Sequence, residues 1–507
     1  MVLARMHTRL RSFLLALVVV CLLLWGLSQM REPAPGSVQP QAEPAPNIEH
    51  PEAENPEDPH KEPAEHHPQK TEIVYDIEGH IKFWRQFQPL LAAHAPKCPS
   101  PVRVYNAPSI GFKAKDPEKR PELLEMPAAD VAKMREAHTQ FVNSISNDPP
   151  RLSYIPGTRG IVSTAGGSYL PVLVISLRML RKTGSMLPVE VFLADNSEYE
   201  PYICDVVLPF LNARCVVLSR VLDKIRGIEK IQKYQFKPFA MLFSSFEEIL
   251  FLDADSFPLV EPDVLFTTSP FVNDSMVTWP DFWASSASPM YYEIASREVP
   301  PMDLRQSTES GEIVISKRTH LKTLLLCTYY NYWGPSHYYR LLSQGAAGEG
   351  DKETFVAAAE AVGEPFYQVS EPIRAIGHPT EGGMAGSAMV QFDPAEDFAL
   401  TQKEEWRVAG SHAPSPRPFF VHANYPKFNP ATIFTEQEVN PPFNDDGSYT
   451  RAWTIPEDTI PQLNEIEREY WREIMWTACE LETRFQSWEG LTGICDGVRD
   501  YWNALFA

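Results

Sequence analysis

The sequence predicts an α/β fold, a mostly parallel sheet with helices on its faces, in one large domain behind an amino-terminal leader. Three observations lead there. Strand-like and helix-like runs alternate from Arg159 to Leu252. One of those strands, Ile249–Leu252, is apolar throughout and delivers two acids, Asp253 and Asp255, before Ser256, Phe257 and Pro258 break the pattern. From about Thr71 onward the composition is that of an ordinary globular protein, with ample length for a large core and no internal repeat.

Taken in order, the chain starts with Arg5, Arg9 and Arg11 ahead of an uncharged apolar run from Phe13 to Leu27, followed by Met30, Arg31 and Glu32. This pattern predicts a cytoplasmic tail (1–12) and a single transmembrane signal anchor (13–30), the positive flank staying in the cytoplasm. The run is shorter than the usual ~20 residues of a span, a requirement that thin membranes relax. Gly26 and Ser28 are spaced like a cleavage site, so a cleaved signal peptide is the competing reading. Residues 31–70 are rich in Pro, Glu and His and nearly devoid of aliphatic side chains, which predicts a disordered, extended stem. Anchor, stem and a head over 71–507 make a type II membrane layout with the head in the secretory lumen.

Within the head, Arg159–Ala165 reads as a strand, followed by Gly166, Gly167 and an apolar-periodic helix from about Leu170 to Lys182. The two glycines lack the full dinucleotide fingerprint and could simply start that helix. Strands at Pro188–Ala194 and Arg214–Leu218, helices at Tyr202–Leu211 and Phe236–Phe246, and the strand Ile249–Leu252 complete the alternation. Farther on come a strand at Glu312–Ser316, a helix from Thr319 to Asn331, the loop Gly348–Phe355 and the strand Pro418–Val421, which ends in His422. The trailing segment from Leu463 to Trp502 reads as amphipathic helix, with Ile466, Tyr470, Ile474 and Ala478 at helical spacing.

Chemistry concentrates at the strand ends. Residues i and i+2 of a strand point to one side, so Asp253 and Asp255 can face one divalent cation at the carboxyl end of the sheet, where open α/β sheets bind ligands. Such a cation, held by few protein oxygens, keeps positions open for phosphate oxygens. The plainer alternative is a solvated turn. His422 is a candidate third ligand, because a Mn²⁺-type site accepts an imidazole beside carboxylates, against the alternative of a satisfied structural ring. A glycosidase would place its two carboxylates about 5 to 9.5 Å apart across the scissile bond and needs no nucleotide, so adjacent acids on one strand suit a metal better.

The formal charge of −21, from 66 acids and 45 bases, argues against nucleic acid as a partner. Cys98, Cys204, Cys215, Cys327, Cys479 and Cys495 lie outside the anchor; Cys204 with Cys215 and Cys479 with Cys495 are the sequence-local pairings. Asn273-Asp274-Ser275 is a glycosylation sequon if it is exposed in the lumen.

The segments YQFKPFAMLFSSFEEILFLDADSFPLVEPDVLF (Tyr234 to Phe266), TESGEIVISKRTH (Thr308 to His320), LLSQGAAGEGDKETF (Leu341 to Phe355) and HANYPKF (His422 to Phe428) occur in this order. Together they resemble the fungal Golgi α-mannosyltransferases of glycosyltransferase family 71, closest to the α-1,2 branch that builds mannan side chains. The resemblance covers Arg159 to Lys427.

It implies a GT-A type fold, GDP-mannose as donor, Mn²⁺ or another divalent cation as cofactor, a mannan or oligomannose glycan as acceptor, retention of the α configuration, and residence in the Golgi membrane. Asp253 and Asp255 match the family's DxD and His422 the place of a third metal ligand. Asp351 is the candidate catalytic residue beside the transferred sugar, with a helix N-cap as its structural alternative. Lys237, Glu309, Ser310, Gly311 and Lys427 are the donor-binding candidates, Lys237 and Lys427 also reading as surface lysines. Trp279, Phe282, Trp283, Tyr291 and Tyr292 form a candidate acceptor surface, because aromatic faces match the apolar faces of sugar rings. The rival readings are an α-1,3 or mannosylphosphate transferase and a non-catalytic sugar-binding protein.

Overall fold

Apolar strands and helices alternate through the computed structural model, which describes residues 74–117, 119–225, 230–435 and 442–507. The expected tail, anchor and stem lie outside them. Seven strands form the main sheet: β1 (Ile155–Thr164), β2 (Val189–Leu193), β3 (Ala213–Val217), β4 (Phe246–Leu252), β6 (Met276–Ala284), β7 (Gln306–Ser316) and β8 (Tyr367–Gln368), with the short β5 (Ser256–Pro258) set aside for a second sheet. Their spatial order is β8-β6-β7-β4-β1-β2-β3. All neighbouring pairs are parallel except those of β7, which runs antiparallel to both β4 and β6.

The chain steps outward from β1 to β2 and β3, then returns to lay β4 on the other side of β1. The order reverses between β1 and β4, so the crevice outside their carboxyl ends is the topological switch point. Asp253 and Asp255 follow β4 there. β2 is buried along its whole length, as a central parallel strand must be when helices cover both faces.

Strand alternation divides the interior. Leu250 and Leu252 join a core on one face with Leu173 and Leu177 of α3 (Tyr169–Lys182), which follows α1 (Ile77–Ala93) and α2 (Ala128–Asn147) in the chain. Ile249 and Phe251 join a core on the other face with Phe87 of α1, Phe239 of α4 (Phe236–Phe243) and Leu325 of α5 (Leu321–Tyr332). Each such fully buried side chain contributes about 1.5–3 kcal/mol through the apolar area it removes from water.

A second, antiparallel sheet is built from β5, β9 (Arg374–Thr380), β10 (Gly383–Phe392) and β11 (Pro418–His422) in the order β9-β10-β11-β5. The register pairs Ser256 of β5 with His422 of β11, so the strand after the two acids meets the strand that ends in the histidine.

The trailing region is not one helix. After α6 (Thr354–Val362), α7 (Leu463–Glu480) and α8 (Ile494–Leu505) pack against each other, joined by a turn and by the Cys479–Cys495 disulfide. The other sequence-local pair, Cys204–Cys215, is also bonded. Tyr470 of α7 stacks on Phe257 at 4.9 Å, so this helix backs the turn that carries the acids. Among the described residues no helix is long and apolar enough to cross a membrane.

Candidate functional site

The turn after β4 is held from three sides. The Asp253 N–H donates to the Gly311 carbonyl at 2.9 Å, tying the turn to β7. The Ala423 N–H donates to the Asp255 carbonyl at 2.8 Å, tying it to the end of β11. Ser256 Oγ donates to Glu312 Oε1, inside the sheet. The two acids then diverge in environment: the Asp255 side chain is 3% exposed and that of Asp253 28%.

Asp255 sits between two cations. Its Oδ1 is 3.0 Å from His422 Nε2 and its Oδ2 accepts from Lys427 Nζ at 2.5 Å. Burial opposes ionisation of this carboxyl, but Lys427 and His422 outweigh it and hold the group well below the usual carboxylate range. Burial also disfavours the His422 imidazolium. Asp255, Glu309 and Glu312 overcome that and push it up to about 10.

Asp253, Asp255 and His422 each offer a ligand atom within 4.8 Å of the others, the group expected from the sequence. The fit to a divalent cation rests on this donor set, two carboxylates and an imidazole. The imidazole stands between two carboxylates, with Nε2 toward Asp255 and Nδ1 3.6 Å from Glu309 Oε1. Gly311 makes room for the ring: a Cβ there would stand 2.6 Å from His422 Nδ1.

A second network adjoins the first. Lys237 Nζ is buried, donates to the Ser310 carbonyl at 2.5 Å and to Ser310 Oγ at 2.9 Å, and lies 3.2 Å from both Asp253 Oδ2 and Asp351 Oδ2. Ser310 Oγ in turn donates to Asp351 Oδ2 at 3.0 Å. Lys237 is therefore no surface lysine. It is an internal cation shared by the two acids, stabilised in its charged form by them against the pull of burial. Burial raises the Asp351 and Glu309 carboxyls, with Lys237 opposing at Asp351 and His422 at Glu309.

All nine expected residues thus converge on one end of the sheet, some in altered parts. Asp351 is not the side-chain cap of α6, whose N-cap is Glu353; only the Asp351 carbonyl serves the turn, accepting from Thr354 N–H and Oγ1. Lys427 keeps 40% of its side chain exposed while paired with Asp255, which leaves it within reach of a ligand. Gly311 acts by its missing side chain, and Glu309 caps its N–H at 2.8 Å.

The aromatic acceptor surface is corrected. Trp279, Tyr291 and Tyr292 are core residues, and Trp279 Nε1 donates to the Phe392 carbonyl at 2.8 Å. Only Phe282 and Trp283 stay half-buried.

Sequence reasoning missed Glu312 and the Asp281–Lys352 pair. Glu312 is wholly buried with Oε2 lacking a partner among the described residues, and burial, opposed by His422, leaves its carboxyl pushed up to about 7. An acid in the otherwise apolar run Glu312–Ser316 was the available signal. The Asp281–Lys352 contact of 2.5 Å, beside Asp351, joins residues far apart in sequence and left no local trace.

The mannosyltransferase family model matches residues 158–306 and 302–393, from β1 through β10. The chain is 34% identical over 427 residues to alpha-1,2-mannosyltransferase MNN24 of Candida albicans, covering 70% of this chain and 60% of that protein. It is 32% identical over 472 residues to MNN21 of the same organism, covering 80% and 70%. To MNN2 of Saccharomyces cerevisiae it is 37% identical over 311 residues, covering 54% and 52%. The matches thus span between about half and 70% of these relatives' length. The galactosyltransferase LgtC overlays at a TM-score of 0.29 with 12% identity, over 42% of this chain and 73% of that one, and carries no weight here. On these sequence matches, the chain belongs to the mannosyltransferase family that includes the fungal α-1,2-mannosyltransferases.

Proposed function

We propose that this chain is a GT-A type, retaining α-1,2-mannosyltransferase that transfers mannose from GDP-mannose to a mannose hydroxyl of an outer-chain or related glycan, with Mn²⁺ or a similar divalent cation. The observation that carries the proposal is the Asp253, Asp255 and His422 group at the switch point, flanked by Lys427 and Lys237. The names of the relatives supply the α-1,2 linkage.

In this reading Asp253, Asp255 and His422 hold the cation, which when bound neutralises charge on a diphosphate leaving group. The half-exposed Lys427 ammonium adds a second positive charge where that leaving group develops its own, the usual dominant electrostatic contribution. Buried Lys237 bridges Asp253 and Asp351, 3.2 Å from each. In this reading Asp351 and Glu309 are the carboxylates beside the transferred sugar, with Ser310 donating to Asp351 at 3.0 Å. Retention follows either from same-face attack, with the leaving phosphate taking the acceptor proton, or from two displacements through one of these carboxylates.

The two disulfides support an oxidising compartment. With the amino-terminal charge and hydropathy pattern they favour a single-pass type II Golgi membrane protein with the head in the lumen.

The test is transfer from GDP-mannose to α-mannobiose by the purified head with Mn²⁺, with and without chelator, followed by linkage analysis. A chelator-sensitive product with a new α-1,2 bond is expected. An α-1,3 bond or a mannosylphosphate product would reassign the linkage, and no transfer from any nucleotide sugar would leave a sugar-binding protein. Asp255→Asn should lose roughly a hundredfold or more in rate. It should still fold, because exposed Lys427 can turn to water and His422 can shed its proton.

A further inference from the structure

Strands β6 and β7 continue past the site. Trp279 pairs with Glu309 and Pro280 with Thr308, and the ladder ends with Ala284 opposite Gln306. There a third segment joins: the Ala284 N–H donates to the Ile110 carbonyl at 2.8 Å, and Gly111 bridges to Trp283. Immediately beyond lies a groove of about 580 Å³ in which Lys115, Asp303, Glu404, Trp406, Ala409 and Ser411 take part.

From this groove we infer a binding subsite for the distal sugars of an oligomannose acceptor, with Trp406 as its stacking platform; the inference rests on the proposed transferase reading. Trp406, in the lining of this groove, keeps 46% of its surface exposed. An exposed indole beside carboxylates and main-chain carbonyls is the combination that recognises sugar rings, apolar on their faces and hydroxylated at their edges. Asp303 and Glu404 supply the acceptors for those hydroxyls.

The platform is held before any ligand arrives. Next to Trp406, Arg407 donates to the buried Glu371 at 2.7 Å, and Lys115 Nζ donates to the Ala409 carbonyl at 3.0 Å, joining two segments of the lining. The groove is also wired to the catalytic end. Arg305, two residues after Asp303, pairs with Glu353 at 3.2 Å, and Glu353 receives the Thr308 N–H at 2.7 Å two residues from Asp351. From Glu309 to Asp303 the chain can reach at most about 20 Å, the length of a few sugar rings. Half-buried Phe282 and Trp283 lie on the strand between.

The test compares α-mannobiose with an α-linked mannotetraose in wild type, Trp406→Ala, Trp406→Phe and Glu404→Gln. Trp406→Ala should raise KM for the tetraose about three- to tenfold, the range of one aromatic stacking contact, while kcat and the mannobiose KM stay put. Trp406→Phe should restore most of the loss, and Glu404→Gln should give a smaller rise of the same selectivity. A tryptophan-fluorescence titration with mannotetraose, without donor, should show the same weakening. Equal tetraose binding and equal KM in wild type and Trp406→Ala would overturn the subsite. If no nucleotide sugar supports transfer, the catalytic reading fails by itself and the titration still decides the groove.

Discussion

Gly311→Ala isolates the fit between β7 and His422. The new Cβ would stand 2.6 Å from His422 Nδ1, 2.7 Å from Cε1 and 3.1 Å from Glu309 Oε1. Ordinary contact begins at 3.4 Å, so the imidazole must give way by about 0.8 Å. Its backbone is not in the left-handed region, so alanine meets no conformational penalty and the effect is steric alone. Two costs follow. Overpacking should lower stability by about 1–3 kcal/mol. Moving a ligand by nearly 1 Å should lower kcat by roughly a hundredfold and weaken Mn²⁺ binding. The assay is steady-state transfer with Mn²⁺ titration, run beside a thermal melt. A double-mutant cycle adds the decisive arm, since in a His422→Ala background the added methyl group has nothing to push and its further cost should largely vanish. Gly311→Ala within twofold of wild type in both kcat and metal affinity, or an undiminished effect without His422, would refute the reasoning.

Three further outcomes are expected. Because His422 in the metal-free protein is pushed up to about 10, it is protonated at neutral pH and a ligating cation must displace that proton. Apparent Mn²⁺ affinity should therefore rise about tenfold per pH unit through the neutral range and level off near pH 10, with about one proton released per ion in calorimetry across buffers; no release would remove His422 from the ligand set. Replacing Cys479 and Cys495 by Ser opens a loop of sequence separation 16 and should cost about 3 kcal/mol in urea unfolding, with the site residues untouched. Asn273 is exposed beside Ser275, so a lumenal head should carry a glycan there: endoglycosidase should shift the wild type and leave Asn273→Gln unshifted, and an unshifted wild type would count against lumenal orientation.

Much of the main sheet was legible because its strands are short apolar runs bounded by turn residues, and because Asp253 and Asp255 interrupt one of them at its carboxyl end. The boundaries moved where long-range pairing overrode local pattern. β7 begins at Gln306, six residues before its apolar run, because β6 pairs with its polar half. The trailing helical pattern broke in two: α7 stops at Glu480, and Gly490 and Gly493, both with left-handed backbone, lie in the turn that leads into α8. Lys237 resisted interpretation for a different reason. A lysine on an apolar helix reads as solvent-facing until its two acids, 16 and 114 positions away, are placed around it. The aromatic cluster failed on the same ground, since composition gives no hint of which rings a second sheet will cover.

The pairing of β5 with β11 has a consequence for how activity is acquired. His422 reaches Asp255 across 167 positions of sequence, and it does so through a strand belonging to the other sheet. The metal group is therefore a seam between two separately hydrogen-bonded layers. A growing chain that has completed the first sheet possesses both aspartates and still lacks the third ligand, so it has no finished place for a cation until the last strand docks. Under the proposed reading, the seam is complete only when β11 has joined β5. Any ion gripped there also becomes a rivet between the layers, adding its binding free energy to the one junction on which both the architecture and the chemistry depend.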